Sequence, residues 1–184
     1  MDHGFGMRGS EEIPLERVQR IRQVHGARVV ELPGETPEEE ADAGVTDFSG
    51  EAVAVVTADC VPVLLAALRP HPVVAAVHAG WRGSALEIVR HAVQALCDWK
   101  QVLPNDLTAA SGPHIGSCCY EVDEPVRDAI RSEACFHPAE THDRWMLDLD
   151  ALNRAQLIAA GIPEARIARV GGCTYCEPER FASY

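Results

Sequence analysis

The sequence predicts an α+β fold: a mixed β-sheet in one domain, with helices on its outer faces. Three observations carry this. Short apolar runs at 52–56, 61–67 and 72–77 follow one another too closely to leave room for the crossover helix that parallel neighbours need. Two later stretches carry capped, amphipathic helix patterns, with a strand pattern between them and another after them, so strands also alternate with helices. Finally, 184 residues supply one substantial core and no linker-like stretch divides them, so 1–184 reads as a single domain.

Taken in order, 15–24 reads as a short helix. A strand over 28–32 follows the corner Gln23-Val24-His25-Gly26. The segment 33–42, with Pro, Gly and four Glu, reads as a solvated loop. The runs 52–56 and 61–67 flank a polar knot, Thr57-Ala58-Asp59-Cys60. The run 72–77 ends abruptly at His78-Ala79-Gly80-Trp81-Arg82-Gly83. Rich in Val and bounded by Gly, Pro and polar residues, these runs are strands. A thiol thus stands at one strand end and an imidazole at another.

The best helix follows. Ser84-Ala85-Leu86-Glu87 has the capping-box pattern, and Ala85, Ile88, Val89, Ala92, Val93 and Leu96 share one stripe opposite Glu87, Arg90, Gln94 and Asp98. Its N-terminus would favour an anion beside the 78–83 loop. A strand over 107–111 runs into Gly112-Pro113-His114-Ile115-Gly116. A helix over 125–131 turns Val126, Ala129 and Ile130 inward. Another starts at an Asp148 cap and stops at Gly161, with Pro163 beyond. A last strand spans 165–170.

The net charge of −12, with its basic residues scattered, argues against a nucleic-acid partner, whose backbone needs clustered Lys and Arg. No apolar stretch approaches the roughly 20 residues that span a bilayer, and the start lacks a signal-peptide pattern. A cytoplasmic protein without a membrane partner is expected. Its seven cysteines then read as core residues, ligands or nucleophiles rather than a disulfide framework.

His25, Cys60 and His78 offer two imidazoles and a thiolate, a set zinc accepts with a fourth position left for water or substrate. Their spacings match no compact zinc module, so the residues alone favour a buried thiol and two hydrogen-bonded histidines, while their places beside turn glycines and strand ends shift the balance toward a site. Arg82, between Gly80 and Gly83, offers a planar fork suited to phosphate or carboxylate; a solvated Arg on a strand-to-helix turn is the plainer alternative. Cys118-Cys119 and Cys173-x-x-Cys176 suggest a four-sulfur site or a redox pair. Adjacent cysteines on a strand point to opposite faces, however, so these read as small packing residues. His3, His71, His91, His137 and His142 carry no supporting motif.

Together, Thr57-Ala58-Asp59-Cys60, His78-Ala79-Gly80-Trp81-Arg82-Gly83 and Gly112-Pro113-x-Ile115-Gly116-x-Cys118-Cys119-Tyr120-Glu121-Val122 resemble the laccase-domain (polyphenol oxidase-like) family of purine nucleoside phosphorylases. Gln23-Val24-His25-Gly26, Asp42-Ala43-x-Val45-Thr46-Asp47 and Cys173-Thr174-Tyr175-Cys176 extend the match. The resemblance implies an α/β/β/α-type layered sandwich and a metal site on His25, Cys60 and His78. It also implies zinc-dependent phosphorolysis of adenosine, inosine or methylthioadenosine, with adenosine deaminase activity. Against that pattern, the segment between His3-Gly4-Phe5 and Gln23 is short, and Phe181-Ala182-Ser183-Tyr184 stands where relatives continue with a basic tail. Part of the pocket wall is therefore expected to be missing.

In that reading Cys60, His78 and Arg82 carry the chemistry. Zinc with an open position lowers the pKa of a water to about 7 for deamination. For phosphorolysis, Arg82 and the amides near Ser84 hold phosphate against the ribose C1′. The small-molecule partners are then a purine nucleoside and phosphate. Three alternatives stand beside it. A copper polyphenol oxidase is disfavoured, because none of the eight histidines forms a His-x-His pair. The others are a metal-free hydrolase or amidase of peptidoglycan precursors with Cys60 as nucleophile, and a non-enzymatic zinc module.

Overall fold

The computed structural model describes residues 4–7, 18–33 and 39–184. Its spine is made by the two longest apolar runs. Strands β5 (Val61–Ala67) and β6 (Val73–Ala79) pair antiparallel along their whole length, from Val61 against Ala79 to Ala67 against Val73. Strand β7 (Thr108–Ser111) adds antiparallel to the free edge of β5, and β3 (Ala43–Thr46) antiparallel to β6. At the edges, β2 (Val29–Glu31) runs parallel to β3 and β11 (Ile167–Arg169) parallel to β7. The result is a six-stranded mixed sheet in the order β11-β7-β5-β6-β3-β2; of the three crowded apolar runs, 61–67 and 72–77 pair in it, while 52–56 lies in another sheet.

The two faces of this sheet are covered differently. Helix α2 (Ile88–Lys100) packs on β6, β3 and β2 through Ile88, Val89, Ala92, Val93 and Leu96. Each of the Ile, Val and Leu side chains, taken from water to full burial, contributes about 1.5–3 kcal/mol. Alternation along β3 sends Ala43 and Val45 into that core and Gly44 to the other face. There β4 (Ala52–Ala54) pairs parallel with β1 (Val18–Arg20), and Ile21, Val30, Leu32, Ala41, Val53 and Val55 form a second apolar cluster. Gly44 is required at this crossing, since a Cβ would stand 2.8 Å from Val53 Cγ2.

A third small sheet joins β8 (Glu121–Val122), β10 (Trp145–Leu147) and β9 (Phe136–Pro138) antiparallel. Helix α4 (Leu149–Ala159) starts where the sequence predicted: Asp148 accepts the Ala151 N–H at 2.8 Å. Gly161 beyond its end takes the left-handed φ of +98.

Several local expectations are corrected. The described part of the 15–24 helix is strand β1 followed by extended chain, while 15–17 lie outside the described residues. Burial of Ile21 and a two-way clamp of the Gln23 amide on the Val56 backbone favour the extended form. The 33–42 loop ends in buried residues, Ala41 and Asp42. Helix α3 (Glu124–Ala129) buries Val126, and Ile130 just beyond it, but leaves Ala129 exposed.

The helix at Ser84 is broken in two. A short α1 (Trp81–Ala85) precedes Glu87, whose φ of 60 is left-handed, before α2 begins. Ser84 does not cap: its buried hydroxyl donates to Asn153 Oδ1 of α4 at 3.0 Å. Glu87 pairs with Arg90 instead. Among the described residues, no helix is long and apolar enough to cross a membrane.

Candidate metal centre

Two strand ends and one corner converge. Cys60 immediately precedes β5, His78 lies in β6 opposite Pro62, and His25 occupies the 23–26 corner. The Cys60 sulfur and one ring nitrogen of each histidine all lie within 4.8 Å of one another. The two imidazoles meet edge to face, centroids 4.7 Å apart. His78 is buried, Cys60 half-buried and His25 exposed, so the group opens to solvent on the His25 side.

What holds this corner is Asp42, to which the sequence reading gave no role. Its side chain is wholly buried (0% exposed). One oxygen, Oδ1, accepts from His78 Nδ1 at 2.8 Å and from the His25 N–H at 2.9 Å. The other accepts the N–H groups of Gly26 at 2.7 Å and Val24 at 3.3 Å. These bonds hold His25 in a left-handed conformation, φ 58, that a non-glycine residue rarely adopts. Because a carboxylate can only accept, Nδ1 of His78 carries the proton and Nε2 is left as the free donor. A carboxylate behind a histidine in this way is the usual support of a metal ligand.

Burial pulls the His78 pKa down, against the Asp42 hydrogen bond, and the nearby His25 lowers it further, so the ring is neutral at pH 7. Burial also pushes the Cys60 thiol up to about 11, aided by the charges of Asp59 and Asp42. Left alone, then, Cys60 keeps its proton. A divalent cation is the partner that reverses this, and a neutral imidazole with a free Nε2 beside a thiol fits one.

Gly80 and Gly83 serve this packing. A Cβ on Gly80 would stand 2.9 Å from Cys60 Sγ and 3.3 Å from His25 Cδ2, and one on Gly83 would stand 2.8 Å from the Gly26 carbonyl. The Ser84 amide is already bonded to the Gly80 carbonyl at 2.8 Å, which removes it as an anion donor. Arg82 lies exposed on α1 with its guanidinium 4.4 Å from the Trp81 ring centroid. Half-buried Tyr120 senses the charges of Cys60, Arg82 and Asp59. Burial, above all, raises its hydroxyl to about 12, so it stays a proton donor.

Asp59, next to Cys60, is turned to another task. At a left-handed φ of 79, its carboxylate accepts from Thr174 Oγ1 at 2.5 Å, Ser183 Oγ at 2.7 Å and the Tyr184 N–H at 2.8 Å. It anchors the C-terminal segment against the centre. A separate groove of about 390 Å³, lined by residues of 127–145, shares none of the triad.

Residues 7–184 match the family model described as multi-copper polyphenol oxidoreductase laccase. The chain is 38% identical over 186 residues to the purine nucleoside phosphorylase YlmD of Geobacillus stearothermophilus, covering 93% of this chain and 68% of that one. It is 34% identical to adenosine deaminase RL5 from an unidentified prokaryote, covering 93% and 70%. The crystal structure of YfiH from Bacillus licheniformis superposes with a TM-score of 0.85 at 32% identity, covering 92% of this chain and 68% of that one. The chain thus spans about two thirds of the length of these relatives.

Proposed function

The chain belongs to the multi-copper polyphenol oxidoreductase laccase family, and from that premise we propose that it is a zinc-dependent purine nucleoside phosphorylase with adenosine deaminase activity. The observation that carries this reading is the convergence of His25, Cys60 and His78 donor atoms within 4.8 Å in front of the Asp42 carboxylate. The relatives named for both activities support it. When bound, zinc would supply a Lewis acid and acidify a water at an open position.

The rest falls to the chain's own residues. Asp42 holds the His78 ring neutral with Nε2 free to ligate, and Cys60, protonated at pH 7 when alone, would lose its proton to solvent as a cation took its sulfur. Arg82, exposed beside the centre, binds phosphate through its fork. Phosphorolysis forms a bond from a phosphate oxygen to the ribose C1′ and breaks the C1′–N bond, so the leaving base must gain a proton. We assign that proton to Tyr120, a half-buried hydroxyl that stays protonated and feels the charges of Cys60, Arg82 and Asp59.

The raised Cys60 thiol counts against the metal-free hydrolase, which needs a thiolate at neutral pH. Metal analysis of the purified protein tests the proposal, together with phosphate-dependent release of adenine from adenosine and hypoxanthine from inosine. One zinc at the triad, with both releases lost in Cys60→Ala, supports it. Copper content with phenol oxidation, or release that survives excess chelator, overturns it.

A further inference from the structure

We infer that Cys118, Cys119, Cys173 and Cys176 form a second metal site, an all-thiolate one that takes a zinc-class cation and serves structure rather than catalysis. The inference stands independently of the triad. All four sulfurs lie within 4.8 Å of one another. Cys119 Sγ is 3.4 Å from Cys176 Sγ and 3.6 Å from Cys118 Sγ, and Cys118 Sγ is 3.7 Å from Cys176 Sγ. A tetrahedral zinc with Zn–S bonds of about 2.3 Å places its sulfurs about 3.8 Å apart. A disulfide needs about 2.05 Å between two partners. Here Cys118, Cys119 and Cys176 lie 3.4–3.7 Å from one another, as three corners of one tetrahedral face do.

The backbone explains why adjacent cysteines share a site. They lie on a turn, where the N–H groups of Cys119 and Tyr120 both reach the Gly116 carbonyl at 3.0 Å. The strand alternation that would separate them does not apply, which corrects the sequence expectation. Cys173-x-x-Cys176 is a second turn, closed by the Glu177 N–H on the Cys173 carbonyl at 3.1 Å, and C-x-x-C is a common zinc-ligand spacing. Gly116 brings the turns together: its N–H donates to Cys173 Sγ at 3.2 Å. A Cβ there would crowd Cys118 Sγ at 3.2 Å and Cys173 Cβ at 3.3 Å. Four protein ligands leave no open position, the mark of a structural site. The ion would fix Thr174, whose hydroxyl holds Asp59 beside Cys60. Cys118 and Cys176 are exposed, so metal can enter and chelator can remove it.

The test uses zinc and cobalt(II) alone as probes on protein purified under reducing conditions. Cys60→Ala, which disables the triad, is expected to keep one zinc per chain. Its cobalt form is expected to show the strong near-ultraviolet thiolate-to-metal absorption of four sulfur ligands. Adding Cys118→Ser and Cys176→Ser should abolish both. In the Cys60→Ala background, Cys176→Ser changes one exposed ligand and should weaken zinc binding about 100-fold with far-ultraviolet dichroism unchanged. The inference is overturned if Cys60→Ala binds no zinc while keeping its native dichroism. Unaltered affinity in Cys176→Ser overturns it too, as does a Cys119–Cys176 disulfide in the reduced preparation.

Discussion

Asp42 Oδ1 lies 2.8 Å from His78 Nδ1 and, through the same atom, takes the His25 N–H at 2.9 Å. A single buried oxygen therefore fixes the ring of one histidine and the backbone of the other. Asp42→Asn removes the negative charge behind His78, and its amide nitrogen cannot accept the Gly26 and Val24 bonds. Removing such a support typically costs 10–100-fold in metal affinity. Zinc affinity measured against a fluorescent chelator should fall by about that factor. Unchanged affinity would mean that Asp42 supports only the fold.

The buried Cys60 thiol makes a second prediction, with its sign set by burial. Burial and the charges of Asp59 and Asp42 raise its pKa to about 11, so the folded, metal-free protein holds very little thiolate at pH 7. Alkylation of Cys60 by iodoacetamide, followed by peptide mass spectrometry, should be slow at pH 7 and rise roughly tenfold per pH unit toward pH 11. Rapid, pH-independent labelling between pH 6 and 8 would instead describe an activated nucleophile.

How much of this was legible follows from the range of each interaction. Strands β5 and β6 declare themselves because both faces are buried, which leaves continuous apolar runs in the sequence. His78 and Cys60 stand out because they end or precede those runs beside glycine and a polar knot. Asp42 does not stand out. Its partners lie 16 to 36 residues away, and the acidic stretch before it resembles a solvated loop. The same holds for Ser84, whose local pattern is a cap but whose partner, Asn153, is 69 residues distant. The proximity of the four cysteines is hidden for a geometric reason: strand alternation would separate Cys118 from Cys119, but the chain makes a turn there.

The Ser84–Asn153 pair carries a stability prediction. Both side chains are buried, and Asn153 also donates to the Leu149 carbonyl at 2.8 Å, fixing which amide atom faces Ser84. Ser84→Ala leaves Asn153 Oδ1 buried without a donor, which costs about 1–3 kcal/mol. Urea unfolding should register that loss. A change within about 0.5 kcal/mol, the range of ordinary surface substitutions, would show that the pair contributes nothing to holding α1 on α4.

Gly80→Ala separates steric from backbone effects at the centre. Gly80 has φ −74 and ψ 168, which alanine adopts without strain. Any consequence must come from the added methyl, 2.9 Å from Cys60 Sγ. Overpacking of this kind costs about 1–3 kcal/mol, and the mobile partner is the thiol, so the cost should appear as displaced sulfur and weakened zinc binding. Helix content by circular dichroism should be unchanged. In a double-mutant cycle, Gly80→Ala should destabilise the Cys60→Ala background far less than the wild type, because the atom it meets is gone. Additive losses would place the strain elsewhere, on the His25 ring 3.3 Å away.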